Sequence, residues 1–219
     1  MGLNREMHQE LDRMSGEMAI DVRAHIGSYT LRMARRFEQV IAFEPNPFNS
    51  HLLRINLQLN KMRNVGVEEA ALSDTRGVSP FFLQRSASGI GSLNPLHYGF
   101  KYDTTVRVNV KKLDDFEIAK VDVLKIDAEG HELRVLKGAS QTIDRARPIL
   151  AVEVHRSKNP YQATCHCETC TYLTSLGYEV RLLGEYQLTP AHWVLASPID
   201  RESLDRRHSK IISRTMSDA

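Results

Sequence analysis

The sequence predicts an α/β protein with a mostly parallel β-sheet and helices on both faces. In the first third of the chain, short apolar runs alternate with segments of helical spacing. Strands that alternate with helices of about 10 to 15 residues are typical of βαβ units. Further on, the apolar run Val121–Ile126 leads through the acidic turn Asp127–Gly130 directly into a helical pattern. This order places polar groups at the carboxyl edge of an open sheet, where such folds bind ligands.

Each element follows from its apolar spacing. Leu3, Met7, Leu11 and Met14 recur at helical intervals, whereas runs rich in Val, Ile and Leu predict strands. Gly177 is a typical C-terminal stop for the helix before it. The last two strands are about 8 to 10 residues apart, which favours an antiparallel hairpin at a sheet edge. The predicted elements are helix 3–17, strand 18–22, helix 28–37, strand 39–43, helix 48–59, strand 65–72, extended segments 78–83 and 105–110, strand 121–126, helix 131–147, strand 148–155, helix 162–176, and strands 178–183 and 192–196.

The chain has 219 residues, which is enough for one domain with a substantial core. We expect an N-terminal helical segment over 1–18, the main domain over 19–198 and a basic tail over 199–219. Within the domain, the Gly/Ser-rich segment 85–103 is long for a connection. It is either a lid or substrate loop, or a disordered insertion.

Composition narrows the class of protein. The net charge of +2 argues against a dedicated nucleic-acid binder, and no apolar run approaches the roughly 20 residues of a membrane span. The first 18 residues are polar and charged, unlike a secretory signal. Three clustered cysteines do not form a disulfide framework. We therefore expect a cytoplasmic protein.

Two charged residues fall inside predicted strands. Lys125 lies two residues before Asp127 on the same strand face, and Glu153 lies in the strand that follows in sequence. A buried charge without a partner costs several kcal/mol. The sequence therefore predicts a Lys125–Glu153 ion pair across neighbouring strands.

Several motifs occur together in one order along the chain. They resemble the FkbM family of S-adenosylmethionine-dependent methyltransferases over nearly the whole span from Ala19 to Ser197. The resemblance implies a Rossmann-like class I methyltransferase fold, with a mostly parallel seven-stranded sheet and one antiparallel strand near the edge. The motifs that carry it are Val40–Pro47 with Asn56 and Asn60, Ala71–Asp74, Leu113–Phe116, and Leu124–Ala139 followed by Pro148 and Glu153–His155.

The resemblance also implies how the cofactor S-adenosylmethionine would be bound. Glu44 ends the second strand, where a carboxylate can accept hydrogen bonds from both ribose hydroxyls. Asp74 is at the position that meets adenine in this fold, or is a solvated turn residue. The expected cofactor-binding residues are Asp21, Gly27, Glu44, Asn46, Ser73, Asp74 and Asp127.

The first turn departs from the family pattern. Where the family usually has Asp-Val-Gly-Ala-Asn-Ile-Gly, this chain has Asp-Val-Arg-Ala-His-Ile-Gly over 21–27. Glycine at position 23 would let the backbone approach the cofactor closely. Arg23 either turns away or meets the cofactor carboxylate, or it weakens binding enough to leave a non-catalytic binding module.

The resemblance implies methyl transfer to a hydroxyl oxygen of a sugar or secondary metabolite, a small-molecule acceptor. Such a hydroxyl needs a general base. Asp127, Glu129 and His155 are the candidate catalytic residues, with Asp127 as the orienting group. His155 is the predicted base because an unperturbed histidine titrates near neutrality. It is otherwise a satisfied polar residue at a strand end.

A cysteine cluster, Cys165–Cys170, has C-x-x-C spacing between Cys167 and Cys170. That spacing suits one arm of a zinc site, with Cys165, His166, His155 or His192 as further ligands. A second arm is not evident from the sequence. We therefore expect no metal, and zinc at Cys165, Cys167 and Cys170 stays the less favoured alternative to partly buried thiols on a helix.

Overall fold

The computed structural model describes residues 3–84, 89, 91–94, 102–155, 167–183 and 191–200. Eleven strands lie within these ranges, in two sheets. In chain order the strands are β1 Gly16–Val22, β2 Phe37–Phe43, β3 Val65–Glu68, β4 Ala71–Leu72, β5 Gly77–Leu83, β6 Gly91–Ser92, β7 Thr104–Lys111, β8 Val123–Ile126, β9 Ile149–His155, β10 Tyr178–Leu183 and β11 Ala191–Pro198. The helices are α1 Leu3–Arg13, α2 Thr30–Met33, α3 Pro47–Leu59, α4 Glu132–Gly138, α5 Ser140–Ala146 and α6 Glu168–Ser175, with a 3-10 helix at Leu113–Phe116.

The main sheet has seven strands in the order β10-β11-β9-β8-β1-β2-β3. Strand β11 runs antiparallel to both of its neighbours, and the other pairings are parallel. This arrangement confirms the predicted mostly parallel sheet with one antiparallel strand near its edge. Because β2, β1, β8 and β9 are parallel neighbours, their carboxyl ends meet at one edge of the sheet.

The second sheet has the order β4-β7-β5-β6, and it corrects the predicted third strand. The run 65–72 was predicted as one strand. Instead, Val65–Glu68 pairs with β2 in the main sheet, whereas Ala71 and Leu72 pair with Val110 and Lys111 of β7. A tight turn, in which the Ala70 N–H donates to the Glu68 carbonyl, separates the two pieces.

Three predicted helices are shorter than their apolar spacing suggests. The segment 3–17 is helical only as far as Arg13, because Gly16 already belongs to β1. The segment 28–37 forms only the four-residue α2, because Phe37 already belongs to β2. The segment 131–147 divides at Ala139 into α4 and α5. At the division, a Cβ on Gly138 would lie 1.9 Å from the Ser73 carbonyl oxygen, so only glycine permits this close approach.

The core lies on both faces of the main sheet. One face packs against α4, α5 and α6, and the other packs against α1 and α2 around Trp193 and Tyr29. Met7 and Leu11 of α1 are buried in that second cluster, so the N-terminal helix packs on the same core as the domain. Among the described residues, no helix is both long and apolar enough to span a membrane.

Three predictions concern residues outside the described ranges. These are most of the Gly/Ser-rich segment 85–103, the first part of the predicted helix 162–176, and the tail beyond residue 200.

Candidate active site

The candidate site is the carboxyl edge of β2, β1, β8 and β9. Each strand delivers a polar segment there: Glu44 after β2, the turn 23–27 after β1, Asp127–Gly130 after β8 and His155 at the end of β9. Strand β1 pairs in parallel with both β2 and β8, so Glu44 and Asp127 lie on the same edge, on either side of the turn 23–27.

The turn after β1 keeps a glycine-like backbone although most of its residues are not glycine. Arg23 has φ of 61°, His25 has φ of 53° and Gly27 has φ of 99°. The left-handed conformation costs a residue with a Cβ roughly 1–2 kcal/mol. At Gly27, a Cβ would also lie 2.6 Å from the Leu53 side chain of α3. The two residues that depart from the family pattern, Arg23 and His25, therefore both adopt a conformation that glycine adopts without this cost.

Glu44 is oriented by this turn. Its carboxylate accepts hydrogen bonds from the backbone N–H of His25 at 2.8 Å and of Asn46 at 2.9 Å. The side chain is buried, and burial raises the pKa of Glu44 above its ordinary value despite the nearby Arg23 and the two N–H donors. A fixed, buried carboxylate at the end of β2 is pre-organised to receive hydroxyl donors.

An apolar pocket opens beside Glu44. The space within it is about 300 Å³ when the open solvent at its mouth is included, but only about 20 Å³ is available to the centre of a water molecule, so a ligand as large as adenine would have to widen it. Arg23 and His131 are its main polar lining residues. The remaining walls are apolar and come from the ends of β1 and β2, the second sheet and α4: Val22, Pro45, Ala70, Ala71, Leu72, Phe81, Leu93, Ala128 and Val135.

The Arg23 guanidinium extends across the edge of the sheet and is only 11% exposed. Its Nη1 lies 3.6 Å from Asp127 and 3.3 Å from Glu129, and Nη2 donates to the carbonyl of Gly89. Burial acts to lower the pKa of Arg23, but Glu129, Asp127 and Glu44 raise it above its ordinary value. This cation therefore pairs with Asp127, one of the acids that the sequence assigned to the cofactor, and with Glu129.

Asp127, Glu153 and His155 converge beside Arg23, with their ligand atoms within 4.8 Å of one another. Asp127 and Glu153 share a hydrogen bond. Burial and the charge of Asp127 raise the pKa of Glu153 to about 8. Burial also acts to raise the pKa of Asp127, but Lys125, Arg23 and His155 hold it below its ordinary value. The pair therefore holds one proton, on Glu153, near neutral pH.

His155 differs from its predicted state. Its Nδ1 lies 2.8 Å from Glu132 and its Nε2 lies 3.2 Å from Glu129. Burial acts to lower the pKa of His155, but Glu132, Glu129 and Asp127 raise it to about 10. The prediction of a histidine base assumed a pKa near neutrality, and a pKa raised to about 10 does not fit that assumption. In this cluster His155 is an imidazolium that bridges two carboxylates.

The predicted Lys125–Glu153 pair is wrong. Lys125 Nζ lies 2.9 Å from Asp21, and both side chains are fully buried. Asp21 is the in-register neighbour of Lys125 on β1, whereas the neighbour on β9 is Ala151. The prediction took the partner from β9 because β9 follows β8 in sequence. Strand β8 also lies beside β1, and the partner comes from β1.

A comparison of the chain with known protein families agrees with the geometry of this site. The family described as "Methyltransferase FkbM domain" matches residues 21–180. The chain belongs to the FkbM methyltransferase family. The match runs from the last two residues of β1 to the first three residues of β10 and includes each site segment described above.

Two relatives give the degree of similarity. Methyltransferase sdnD of Sordaria araneosa is 29% identical over 160 residues, which cover 58% of this chain and 62% of that protein. The hexuronic acid methyltransferase AglP of Haloferax volcanii is 26% identical over 150 residues, which cover 66% of this chain and 58% of that protein. The chain thus spans about six-tenths of the length of these relatives.

Solved structures confirm the Rossmann-like class I methyltransferase fold. Methyltransferase FkbM from Methylobacillus flagellatus superposes with a TM-score of 0.62 at 21% identity, over 84% of this chain and 44% of that one. SMU.1697c of Streptococcus mutans, solved in complex with SAH, gives 0.57 at 11% identity, over 90% and 97% of the chains. An rRNA methylase from Streptococcus thermophilus gives 0.54 at 12% identity, over 89% and 95%. The net charge had predicted that nucleic acid is not a partner. The fold does not support this prediction, because an rRNA methylase shares it.

Within the FkbM-family fold, the other predicted cofactor residues differ in what they contact. Asn46 caps α3, where its side chain accepts from the Phe48 N–H. Ser73 is buried and its Oγ lies 2.9 Å from His131 Nε2, at the wall of the pocket. Asp74 accepts from Arg134 at 2.8 Å, and this bond and Ser73 keep the pKa of Asp74 low although burial acts to raise it. Asp21 is engaged inside the sheet with Lys125 and Thr30.

Two residues of the FkbM-family site have roles that the sequence did not reveal. Glu132 accepts from the N–H groups of Ala128 and Gly130 at 3.2 and 2.9 Å, and so shapes the acidic turn and fixes His155. Glu153 belongs to the acidic cluster rather than to Lys125. The signal for Glu153 was present, because a carboxylate inside a buried strand needs a partner, but its partner was misassigned.

Proposed function

We propose that this chain binds S-adenosylmethionine at the carboxyl edge of β2, β1 and β8 and transfers its methyl group to a hydroxyl oxygen of a small molecule. The main support is Glu44, a buried carboxylate that is fixed by two backbone N–H groups beside an apolar pocket. A ribose would donate to Glu44, and the adenine would enter the pocket between Pro45, Leu72 and Val135.

The residues fit the adenosine half of the cofactor better than its cationic half. The acid and the apolar walls match a ribose and an adenine. At the other end Arg23 pairs with Asp127 and Glu129, the carboxylates that would face the sulfonium and ammonium groups. Binding therefore requires the guanidinium to leave these carboxylates or to pair with the cofactor carboxylate. When bound, the cofactor supplies an electrophilic methyl group.

For the chemistry, we propose that Asp127 stays ionised and orients the acceptor hydroxyl. Glu153, with a pKa of about 8, is the group in the cluster that can exchange a proton close to neutral pH. In its ionised form, which grows as the pH rises toward about 8, Glu153 replaces His155 as the proposed base. His155 and Glu129 hold the cluster in place through their contacts with each other and with Glu132.

The acceptor class is proposed from the relatives. AglP is named as a hexuronic acid methyltransferase, and we extend this sugar chemistry to the present chain. The acceptor would be a hydroxyl group of a sugar or a secondary metabolite. Incubation with S-adenosylmethionine and a panel of uronic acids and hydroxylated metabolites, followed by mass spectrometry, tests this extension.

A second candidate function is a non-catalytic binding module with weakened cofactor affinity. The specific observation in its favour is the guanidinium of Arg23, which is only 11% exposed and pairs with Asp127 and Glu129 in the crevice. Under this alternative, the fold persists and the crevice serves another ligand or a partner.

Calorimetric titration with S-adenosylmethionine and S-adenosylhomocysteine separates the two candidates. The enzyme predicts saturable binding, and Glu44→Gln should weaken it at least about tenfold because a hydrogen bond to a charged group contributes roughly 1.5–3 kcal/mol. Glu38→Gln is the matched control, since Glu38 is an exposed acid on the same strand and should leave affinity unchanged. Folding of each variant is checked by circular dichroism.

Two results would count against the enzyme. The first is the absence of binding heat from folded wild-type protein at high ligand concentration, which favours the binding module. The second is equal affinity of the wild type and Glu44→Gln, which would remove Glu44 from the proposed site.

A further inference from the structure

A second cluster of polar side chains lies apart from the acidic one, between α6 and the antiparallel strand β11. Cys167, Cys170 and His192 place their sulfur and nitrogen ligand atoms within 4.8 Å of one another. Cys170 and His192 are buried, and Cys167 is half-buried. Neither cysteine forms a disulfide. Two thiols and an imidazole at this distance match the ligand types that Zn²⁺ prefers.

The cysteine pair has the local geometry of a metal-binding turn. Cys167 is the N-cap of α6, with φ −76° and ψ 156°, and its Sγ accepts a hydrogen bond from the Cys170 N–H at 3.4 Å. The helix thus turns both side chains toward one point while an N–H group supports the first sulfur. Such outer contacts orient metal ligands and stabilise the thiolate form that binds metal.

His192, one of the further ligands that the sequence offered, supplies the second arm. It lies on β11 opposite Val154, on the strand face that also carries Val194. Val194 and Cys170 belong to the same core cluster, so this face of β11 packs against α6. The histidine is separated from the cysteines by more than 20 residues in sequence, and only the sheet order brings them together.

We propose that Cys167, Cys170 and His192 bind a structural Zn²⁺ ion. Binding converts two thiols to thiolates, releases two protons and forms two Zn–S bonds and one Zn–N bond. A water molecule would take the fourth tetrahedral position, and the two thiolates balance the charge of the ion. With Zn–S of about 2.3 Å and Zn–N of about 2.0 Å, tetrahedral ligands lie roughly 3.5–3.8 Å apart, which requires a contraction of at most about 1 Å. Cys165 and His166 lie outside the described residues, and this assignment does not use them.

The proposed ion would join the start of α6 to β11 next to the candidate active site. Ala191, the residue before His192, is the in-register neighbour of His155. The ion would thereby fix the strand end that carries His155, although it would not touch the reacting groups. The proposal is independent of cofactor binding, because none of its three ligands belongs to the crevice near Glu44.

Metal analysis of the full chain provides the test. The protein is purified under reducing conditions, given excess Zn²⁺, passed through a desalting column and analysed by mass spectrometry of the metal. We expect about one equivalent of zinc in the wild type, since structural sites bind tightly enough to survive this treatment. Cys170→Ser and His192→Gln should each lose most of it. His51→Gln, which changes an exposed histidine on α3, should retain it.

Cobalt gives a second readout if a variant folds poorly. Replacement of zinc by Co²⁺ in the wild type should produce a thiolate charge-transfer band and the strong visible bands of a tetrahedral site. Chelation should also lower the midpoint of thermal unfolding of the wild type, but not that of His192→Gln. Less than about 0.1 equivalent of zinc in the wild type would overturn the proposal. Full zinc content in a folded His192→Gln would overturn it as well.

Discussion

At the scale of the residue, Arg23 has the largest effect on how the site can work. It lies at a position where the FkbM pattern has glycine, it adopts a φ of 61°, and its guanidinium contacts Asp127 and Glu129. Two separate obstacles to a cofactor follow from this residue. The Cβ limits the approach of a ligand to the backbone, and the guanidinium competes with a cationic ligand for the same carboxylates.

Two substitutions separate these obstacles. Arg23→Ala removes the guanidinium and keeps the Cβ, whereas Arg23→Gly removes both. We expect each to tighten S-adenosylhomocysteine binding at least about tenfold, because two carboxylates lose a competing cation and each charge-assisted contact is worth over 1.4 kcal/mol. Isothermal titration calorimetry measures the change. Tighter binding in Arg23→Gly alone would assign the effect to the Cβ, and unchanged affinity in both would show that Arg23 is no obstacle.

At the scale of the element, β1 and β8 are joined by a buried ion pair as well as by the backbone ladder. Lys125 and Asp21 are in-register neighbours, 2.9 Å apart, at 1% and 0% side-chain exposure. Thr30 of α2 donates to the second oxygen of Asp21 at 2.6 Å. Lys125 also lies 4.8 Å from the centre of the Tyr29 ring. The pair thus fixes the central strands and α2 directly beneath the turn that carries Arg23.

Removal of one partner should destabilise the protein strongly, because it leaves a lone charge in the core. Lys125→Met is expected to lower the free energy of unfolding by roughly 3–5 kcal/mol, and Asp21→Asn/Lys125→Met by less. Lys120→Met is the control, since Lys120 forms an exposed pair with Glu17 that contributes little to stability. Urea unfolding measures all three. A loss in Lys125→Met no larger than that in Lys120→Met would show that the buried pair does not stabilise the sheet.

At the scale of the whole molecule, ionisable groups are concentrated at one edge of the sheet. Arg23, Asp127, Glu129, Glu153 and His155 meet there within a few ångströms. The pKa values of Glu153 and His155 are raised to about 8 and about 10. The stability of the folded chain is therefore coupled to the protonation state of its candidate site.

The sign of this coupling follows from the two raised pKa values. His155 stabilises the folded state fully below its ordinary pKa of 6.5, and this contribution is lost as pH rises through about 10. Glu153 acts in the same direction, because it keeps its proton in the folded state up to a pKa of about 8 but loses it near 4.5 in the unfolded state. The folded state therefore loses stability as the pH rises from about 4.5 to about 8. The free energy of unfolding should therefore fall across this range, by at most about 1.4 kcal/mol per pH unit for each group.

The contribution of His155 can be measured by urea unfolding of the wild type and of His155→Gln at pH values from about 6 to 10. The two proteins share the other groups that titrate in this range, so the difference between their free energies of unfolding reports on the histidine. Their difference in free energy should shrink with rising pH. A difference that stays constant over this range would mean that His155 is already neutral in the folded protein.

Much of the fold was readable from local sequence. The alternation of Val- and Ile-rich runs with helical spacing predicted the parallel sheet, because period and apolar content report which faces are buried. The bounds of helix 47–59 were predicted to within one residue, and those of the two strands of the edge hairpin to within two residues. The positions of Glu44 and Asp127 at one edge of the sheet were predicted correctly, because an acid directly after a buried strand must lie at its carboxyl end.

Long-range partners were decided by the tertiary structure alone. Sequence required a partner for Lys125 and for Glu153, yet strand order gave Asp21 to the first and Asp127 to the second. It also brought His192 to the cysteines and changed His155 from a neutral base into an imidazolium. The physical reason is that burial and charge act through space. A sequence states which groups need a partner, whereas the packing of strands determines which partner lies within reach.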